Sequence, residues 1–309
     1  MLLSVQNGGL TNRMSPKEYY QMIKDCGFEA VDWNIDHGWN RQEVLEKGVE
    51  TPCIFTKSME EIRAYWKEQL DAIRQAGLII GQAHAPFPAY TLSYNEKHPD
   101  FLDFAIEVYK KCILLCDEVG CPYLVIHGIS RRLNMQFPTH EELDALNRKL
   151  YESLIPTLQQ TNVTVCLENL FTGNHFTRLT GHCSEPHQAA AFIDALNEKA
   201  GKECFGLCLD TGHLFLLHTE FSYYISILGS RIKALHIHDN DGDDDQHLAP
   251  YAGRIPWDEF LVALKKVGYS GNLNFETFAQ VKSDRLPLPL VSEFLRHIAA
   301  IGNYFKSQL

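Results

Sequence analysis

Two short apolar runs, Phe205-Gly-Leu-Cys-Leu-Asp210 and Arg231-Ile-Lys-Ala-Leu-His-Ile-His-Asp239, decide how the rest of the chain is read. In the first, Phe205, Leu207 and Leu209 fall on one side while Gly206, Cys208 and Asp210 fall on the other, the period of a β-strand. In the second, Ile232, Leu235 and Ile237 lie at or near one face, whereas Ala234, His236 and His238 share the other. A helical stretch near Ser222–Leu228 separates them. Two consecutive strands thus aim Asp210 and His236 the same way, and His213 follows three residues after Asp210.

The pattern extends in both directions. Strands are expected at Leu2–Gln6, Glu29–Asn34, Leu78–His84, Tyr123–His127, Val163–Asn169 and Gly271–Glu276, each followed by a segment of helical periodicity. Ser15-Pro-Lys-Glu18, Ser58-Met-Glu-Glu61 and Thr139-His-Glu-Glu142 supply capping boxes at three helix starts. A helix is expected from Asp100 to Val119, one from Thr139 to near Gln160, one from Ser184, one from Pro256 to Val267 and a last one near Leu290–Phe305. Eight strand–helix units with nothing dividing them point to a parallel sheet closed into a single (β/α)8 TIM barrel spanning residues 1–309, with a doubly wound open sheet as the other architecture. Connections entering the strands are short, as at Gly27, Gly77 and Gly268. Those leaving them are long: 35–57, 85–99, 128–138, 170–183 and 240–255.

Composition narrows the function classes. Of 309 residues 45% are hydrophobic and 22% charged, enough for a large core, and the formal net charge of −11 opposes general nucleic-acid binding. The nine cysteines include no Cys-x-x-Cys and read as buried thiols of a reducing compartment. No apolar run reaches membrane-spanning length, so a soluble cytoplasmic protein is expected, with a homo-oligomer left open.

Counting back by twos from the last polar residue of six strands gives His84/Gln82, His127/Val125, Glu168/Cys166, Asp210/Cys208, His236/Ala234 and Glu276/Asn274. The intervening positions are mostly apolar, as in Leu124/Ile126 and Val165/Leu167. Helices are expected to cover the apolar side, leaving the polar ends to converge inside the rim, where active sites of such barrels lie. Glu168, Asp210, His236 and Glu276 form an O,O,O,N set suited to Mn²⁺, Zn²⁺, Co²⁺ or Mg²⁺. Without a cation three converging carboxylates would repel one another strongly.

The segments Cys-Leu-Glu168-Asn, Asp210-Thr-Gly-His213, His236-Ile-His-Asp239, Gly253-Arg-Ile-Pro-Trp257 and Phe275-Glu276-Thr resemble the xylose isomerase-like TIM-barrel superfamily of sugar isomerases and epimerases, which also holds the type IV apurinic endonucleases. In the epimerase branch the resemblance implies one divalent metal on Glu168, Asp210, His236 and Glu276. It also implies proton transfer by Glu168 and Glu276 from opposite sides of a small sugar or sugar-phosphate substrate, through a metal-stabilised enediolate, with His213 contacting a substrate oxygen. No lysine lies between Lys149 and Lys199, which favours proton transfer over a hydride shift.

The endonuclease branch implies a three-zinc set for which His84, His127, Glu168, Asp210, His213, His236, Asp245, His247 and Glu276 are candidates. Against DNA stand the closeness of Asp245-Gln-His247 to His236 and the five aspartates of Asp239–Asp245. His84, His127, His213, Asp245 and His247 are therefore read as second-metal or substrate contacts, and His238 as a neighbour supporting the ligands. A keto-cyclitol dehydratase, which also begins with proton abstraction, fits too. Arg131, Arg132 and Arg254 are candidates for holding a phosphate or carboxylate, with Arg254 taken as a substrate contact. Trp39, Phe87 and Trp257 are candidate pocket walls, and Trp33 is core.

Overall fold

A computed structural model of the chain describes residues 1–8, 13–35, 41–86, 98–130, 139–174, 177–277, 281 and 286–309. The three capping boxes form as the sequence requires. Ser15, Ser58 and Thr139 each accept the backbone N–H three residues on, and Glu18, Glu61 and Glu142 bond back to the cap. They start helices α1 (Pro16–Asp25), α3 (Met59–Gln75) and α5 (His140–Glu152), with α2 (Arg41–Lys47) and α4 (Phe101–Val119) between them.

Ten strands are described: β1 (Leu3–Gln6), β2 (Ala30–Asn34), β3 (Ile79–His84), β4 (Tyr123–Ile126), β5 (Thr164–Glu168), β6 (Phe171–Asn174), β7 (Thr177–Thr180), β8 (Phe205–Asp210), β9 (Ile232–His236) and β10 (Leu273–Phe275). Eight of them pair in parallel in the order β10-β1-β2-β3-β4-β5-β8-β9. The ends join through a parallel bridge between Ile237 and Phe275, in which the Ile237 N–H donates to Asn274 O at 2.9 Å and the Glu276 N–H to Ile237 O at 3.0 Å. The architecture is the single (β/α)8 barrel expected.

The alternation along the strands sorts the core into two parts. Leu124, Ile126, Val165, Leu167, Leu207, Leu209, Leu235, Leu273 and Phe275 belong to the shell between sheet and helices. Val125, Cys166, Cys208 and Ala234 form a separate small cluster inside the barrel, closed by Tyr123. These are the residues two positions before the polar strand ends. A register shift beside Leu207/Cys208 pairs Cys208 with Ala234 and Asp210 with His236, so the two runs are in phase at the mouth although Ile232 and Leu235 are not evenly spaced. All nine cysteines are buried as thiols, Trp33 is fully buried, and Trp257 is core. Among the described residues no helix is long and apolar enough to cross a membrane.

Two features depart from the sequence reading. The helix expected to run from Thr139 to near Gln160 stops at Glu152 and resumes as a short turn, α6 (Ile155–Leu158), because Pro156 has no N–H for the i−4 carbonyl and its ring clashes there. The stretch 170–183, read as a loop, holds the antiparallel hairpin β6–β7. It precedes α7 (Pro186–Ala200), which the Glu185 carboxylate caps rather than Ser184. The later helices are α8 (Thr211–Leu216), α9 (Phe221–Leu228), α10 (Trp257–Lys266) and α11 (Leu288–Gln308).

Helix α11 rests on the seam where β1 meets β10, and it approaches closely at Gly302. A Cβ there would stand 2.8 Å from Leu3 Cδ2 and 2.9 Å from Phe275 Cε2. Gly302→Val is expected to lower stability by about 1–3 kcal/mol through overpacking, read as a lower urea midpoint; an unchanged midpoint would show that the seam does not depend on this approach.

Candidate metal centre

The Asp-Thr-Gly-His motif after β8 explains itself residue by residue. Asp210 caps α8, its Oδ1 accepting the His213 N–H at 2.7 Å. Thr211 Oγ1 donates to His238 O at 2.7 Å and accepts the His238 N–H at 3.0 Å, tying this turn to the extension of β9. Gly212 leaves room for the His238 ring, whose Cε1 would lie 2.0 Å from a Cβ at that position. Asn169 continues the β5–β8 ladder with its side chain, donating to Asp210 O at 2.9 Å and accepting the Asp210 N–H at 2.7 Å.

This scaffold gathers the predicted ligands. His236 Nδ1 lies 3.4 Å from Glu168 Oε2, 3.6 Å from Glu276 Oε2 and 3.9 Å from Asp210 Oδ2. His127 Nε2 is 3.0 Å from Glu168 Oε2 and 3.1 Å from His84 Nε2. On the other flank His213 Nδ1 is 3.1 Å from Glu168 Oε1, and Asp245 Oδ2 stands between His213 Nε2 at 3.4 Å and His247 Nε2 at 3.2 Å. Four groups of ligand-type atoms, each within 4.8 Å, result: His84/His127/Glu168, Glu168/Asp210/His236, Asp210/His238/Glu276 and His238/Asp245/His247.

The electrostatics suit a cation. Burial alone would raise the Glu168 carboxyl, yet His127 and His236 hold it well below the usual range. Burial likewise opposes charge on His213 and His236, but Asp210 and Asp245 push the first, and Cys208 followed by Glu276 and Glu168 push the second, well above an ordinary imidazole. His247 is lifted to about 9 against burial by Asp245 and Glu276. Protons on the imidazoles thus balance the carboxylates, the place a divalent ion takes when it displaces them. Glu168 Oε2, His236 Nδ1 and Asp245 Oδ1 are buried with no well-directed hydrogen bond among the described residues. Buried polar atoms left so are the mark of a missing partner, and the donor set fits a divalent metal.

The acidic loop is built differently from what its sequence suggests. Asp239 is consumed internally: its carboxylate accepts the N–H groups of Asn240 at 2.9 Å and Ile255 at 3.1 Å and the indole N–H of Trp257 at 2.9 Å. Asp241 accepts from Asp243 N, Asp244 N and Gln246 Nε2. Asp245 turns inward, and Asp239 pairs with Leu248, folding the loop so that a short segment still delivers Asp245 and His247. Only Asp243 and Asp244 are exposed aspartates of the five. His247 adopts a positive φ of 49°, a costly backbone state for a residue that is not glycine.

His238, read as a supporting neighbour, does meet the Asp210 carboxylate, with Nε2 at 3.1 and 3.0 Å from its two oxygens, and it also belongs to two ligand groups. Arg254 is not drawn in: its side chain is exposed and forms no hydrogen bond or ion pair among the described residues. Arg131, Arg132, Trp39 and Phe87 lie outside the described residues. Three contributors escaped the sequence reading. Gln6 Nε2 donates to Glu276 Oε1 at 2.6 Å; Asp32 lies below His236; and the β6–β7 hairpin brings Phe171 to 5.1 Å from the His213 ring while Arg178 reaches back to Asp243. Extending the count by twos to Gln6/Ser4 and Asn34/Asp32 would have found the first two.

Residues 20–298 match the family described as xylose isomerase-like TIM barrel. Over 267 residues, 83% of this chain and 79% of the relative, the sequence is 26% identical to the uncharacterized protein y4fM of Sinorhizobium fredii. Over 249 residues, 76% of each protein, it is 25% identical to probable endonuclease 4 of Mycoplasma genitalium. The solved structure of a D-tagatose 3-epimerase-like protein aligns over 98% of this chain and 99% of its own with a TM-score of 0.68 at 18% identity, a likeness of fold. The chain belongs to the xylose isomerase-like TIM barrel family.

Proposed function

We propose that the chain is a divalent-metal-dependent isomerase or epimerase of a small sugar or sugar phosphate, working by proton transfer. The observation that carries this reading is the placement of Glu168 and Glu276 at 3.4 and 3.6 Å from His236 Nδ1, buried at the mouth of the barrel with Asp210. A divalent cation bound there supplies a Lewis acid for neighbouring substrate oxygens and stabilises the negative charge that follows loss of a proton from carbon. The chain's own residues do the rest. Glu168, held anionic by its histidines, takes or returns the proton on one face, and Glu276 serves the other. Gln6 holds Glu276 by Oε1, leaving Oε2 toward His236. His213, held by Asn169 O at 3.0 Å, is the residue assigned in this reading to a substrate oxygen. Nothing between Lys149 and Lys199 offers a lysine for a hydride shift.

A second reading, metal-dependent phosphodiester hydrolysis, is favoured by one specific observation. Asp245 between His213 and His247 extends the ligand set beyond what a single cation uses. The likeness to probable endonuclease 4 points the same way.

Glu168→Gln and Glu276→Gln are each expected to lower turnover of a ketose or ketose phosphate by about 10²–10⁴-fold with an unchanged circular-dichroism spectrum; a double variant that still turns over would sink the assignment. Reaction in deuterium oxide should place solvent deuterium on the product carbon, whereas complete retention of substrate hydrogen contradicts proton transfer. The wild type should leave an abasic-site oligonucleotide intact. Incision that disappears in Asp245→Ala would transfer the assignment to the phosphodiesterase.

A further inference from the structure

Beneath the ligands, the side of the barrel opposite the Val125/Cys166/Cys208/Ala234 cluster is polar. Asp32, on β2, is fully buried, and its Oδ2 accepts from Gln82 Nε2 at 3.0 Å and Asn274 Nδ2 at 2.9 Å. The same oxygen faces His236 Nε2 at 3.4 Å, a close approach that falls short of a well-directed hydrogen bond. One imidazole therefore lies between a single carboxylate on its inner side and three carboxylates around Nδ1 on its outer side.

We infer that Asp32 is the positioning residue of this centre, taking the Nε2–H of His236 so that the Nδ1 lone pair is the one directed at the cation. The inference rests on the metal reading above. A neutral imidazole has one lone pair, and the nitrogen that carries the proton cannot coordinate, so the partner of the far nitrogen decides which atom binds. The surroundings fit that task better than a structural one. A buried carboxylate held by two neutral amides, with its Oδ1 lacking a hydrogen bond among the described residues, is a costly way to fill space, and an amide or an aliphatic side chain would do so at less cost.

The groups that hold Asp32 are themselves fixed. Gln82 also donates to Leu235 O at 3.3 Å, and the His84 ring stacks on His236 at 5.6 Å and 17°, restraining the imidazole plane. The pairing of β2 with β3 skips Gly81, an irregularity in β3 that sets Gln82 opposite Asp32.

Asp32→Asn preserves the shape and removes the charge. The test is the dissociation constant of wild type and variant for Zn²⁺ alone and for Mn²⁺ alone, by competition with a chromogenic chelator, together with urea unfolding of both metal-free proteins. The expected result is a loss of affinity of about 10–100-fold. A variant whose affinity stays within about twofold of wild type, whatever its urea midpoint, makes Asp32 merely structural and overturns the inference. A wild type that binds neither cation overturns both this and the metal reading, so the two failures are distinguishable. Nitrogen-15 ring spectra of zinc-loaded wild type need no variant. They should contain a histidine bound through Nδ1 with its proton on Nε2, and spectra in which every bound ring uses Nε2 overturn the inference even where Asp32→Asn does not fold.

Discussion

Glu168, Asp210 and Glu276 converge on one imidazole nitrogen in a space from which water is nearly excluded, and the rest of the structure is organised to make that tolerable. Removing a carboxylate from water costs several kcal/mol even after relaxation, and like charges a few ångströms apart in a low-dielectric site add to it. The fold meets the cost locally through His213, His236 and His247, whose affinity for protons is raised, an amide that donates to an outlying oxygen, and a helix start at Asp210. A divalent cation meets it more completely. Conserving the charge balance rather than any one contact is what links the strand register, the loop after β9 and the interior amides.

The barrel positions these groups because each of its strands has the same parity at the mouth. Small residues, Val125, Cys166, Cys208 and Ala234, plug the interior below, while the outward residues bury the helices. Bulges correct the phase where the strands would drift, one beside Cys208 and one beside Asp32. The closure between Ile237 and Phe275 brings Glu276 next to His236, so the residues that close the barrel are the immediate neighbours of two of the site's ligands.

Much of this was legible in the sequence because period-two alternation and capping boxes are local codes. The eight barrel strands, the three boxes and the polar strand ends followed from them. What escaped depended on contacts distant in sequence. The hairpin β6–β7 lacks a buried face to produce strong alternation, so nothing in Phe171–Thr180 stood out. The acidic loop was read as five aspartates facing any phosphate backbone, since sequence does not reveal that Asp239 and Asp241 spend their carboxylates on N–H groups; Asp245 and His247, singled out as ligand candidates, do come together. Asp32 was readable by the same parity rule and became visible only with His236 above it.

The central claim is that this constellation is a metal centre, and elemental analysis of the protein purified without added metal, before and after dialysis against a chelator, tests it most directly. The account predicts at least one equivalent of a divalent transition metal per folded chain, removed by the chelator and regained on adding Zn²⁺ or Mn²⁺, with loss of the bound ion in Asp210→Ala. Folded protein that carries no metal and takes up none when it is supplied would contradict it.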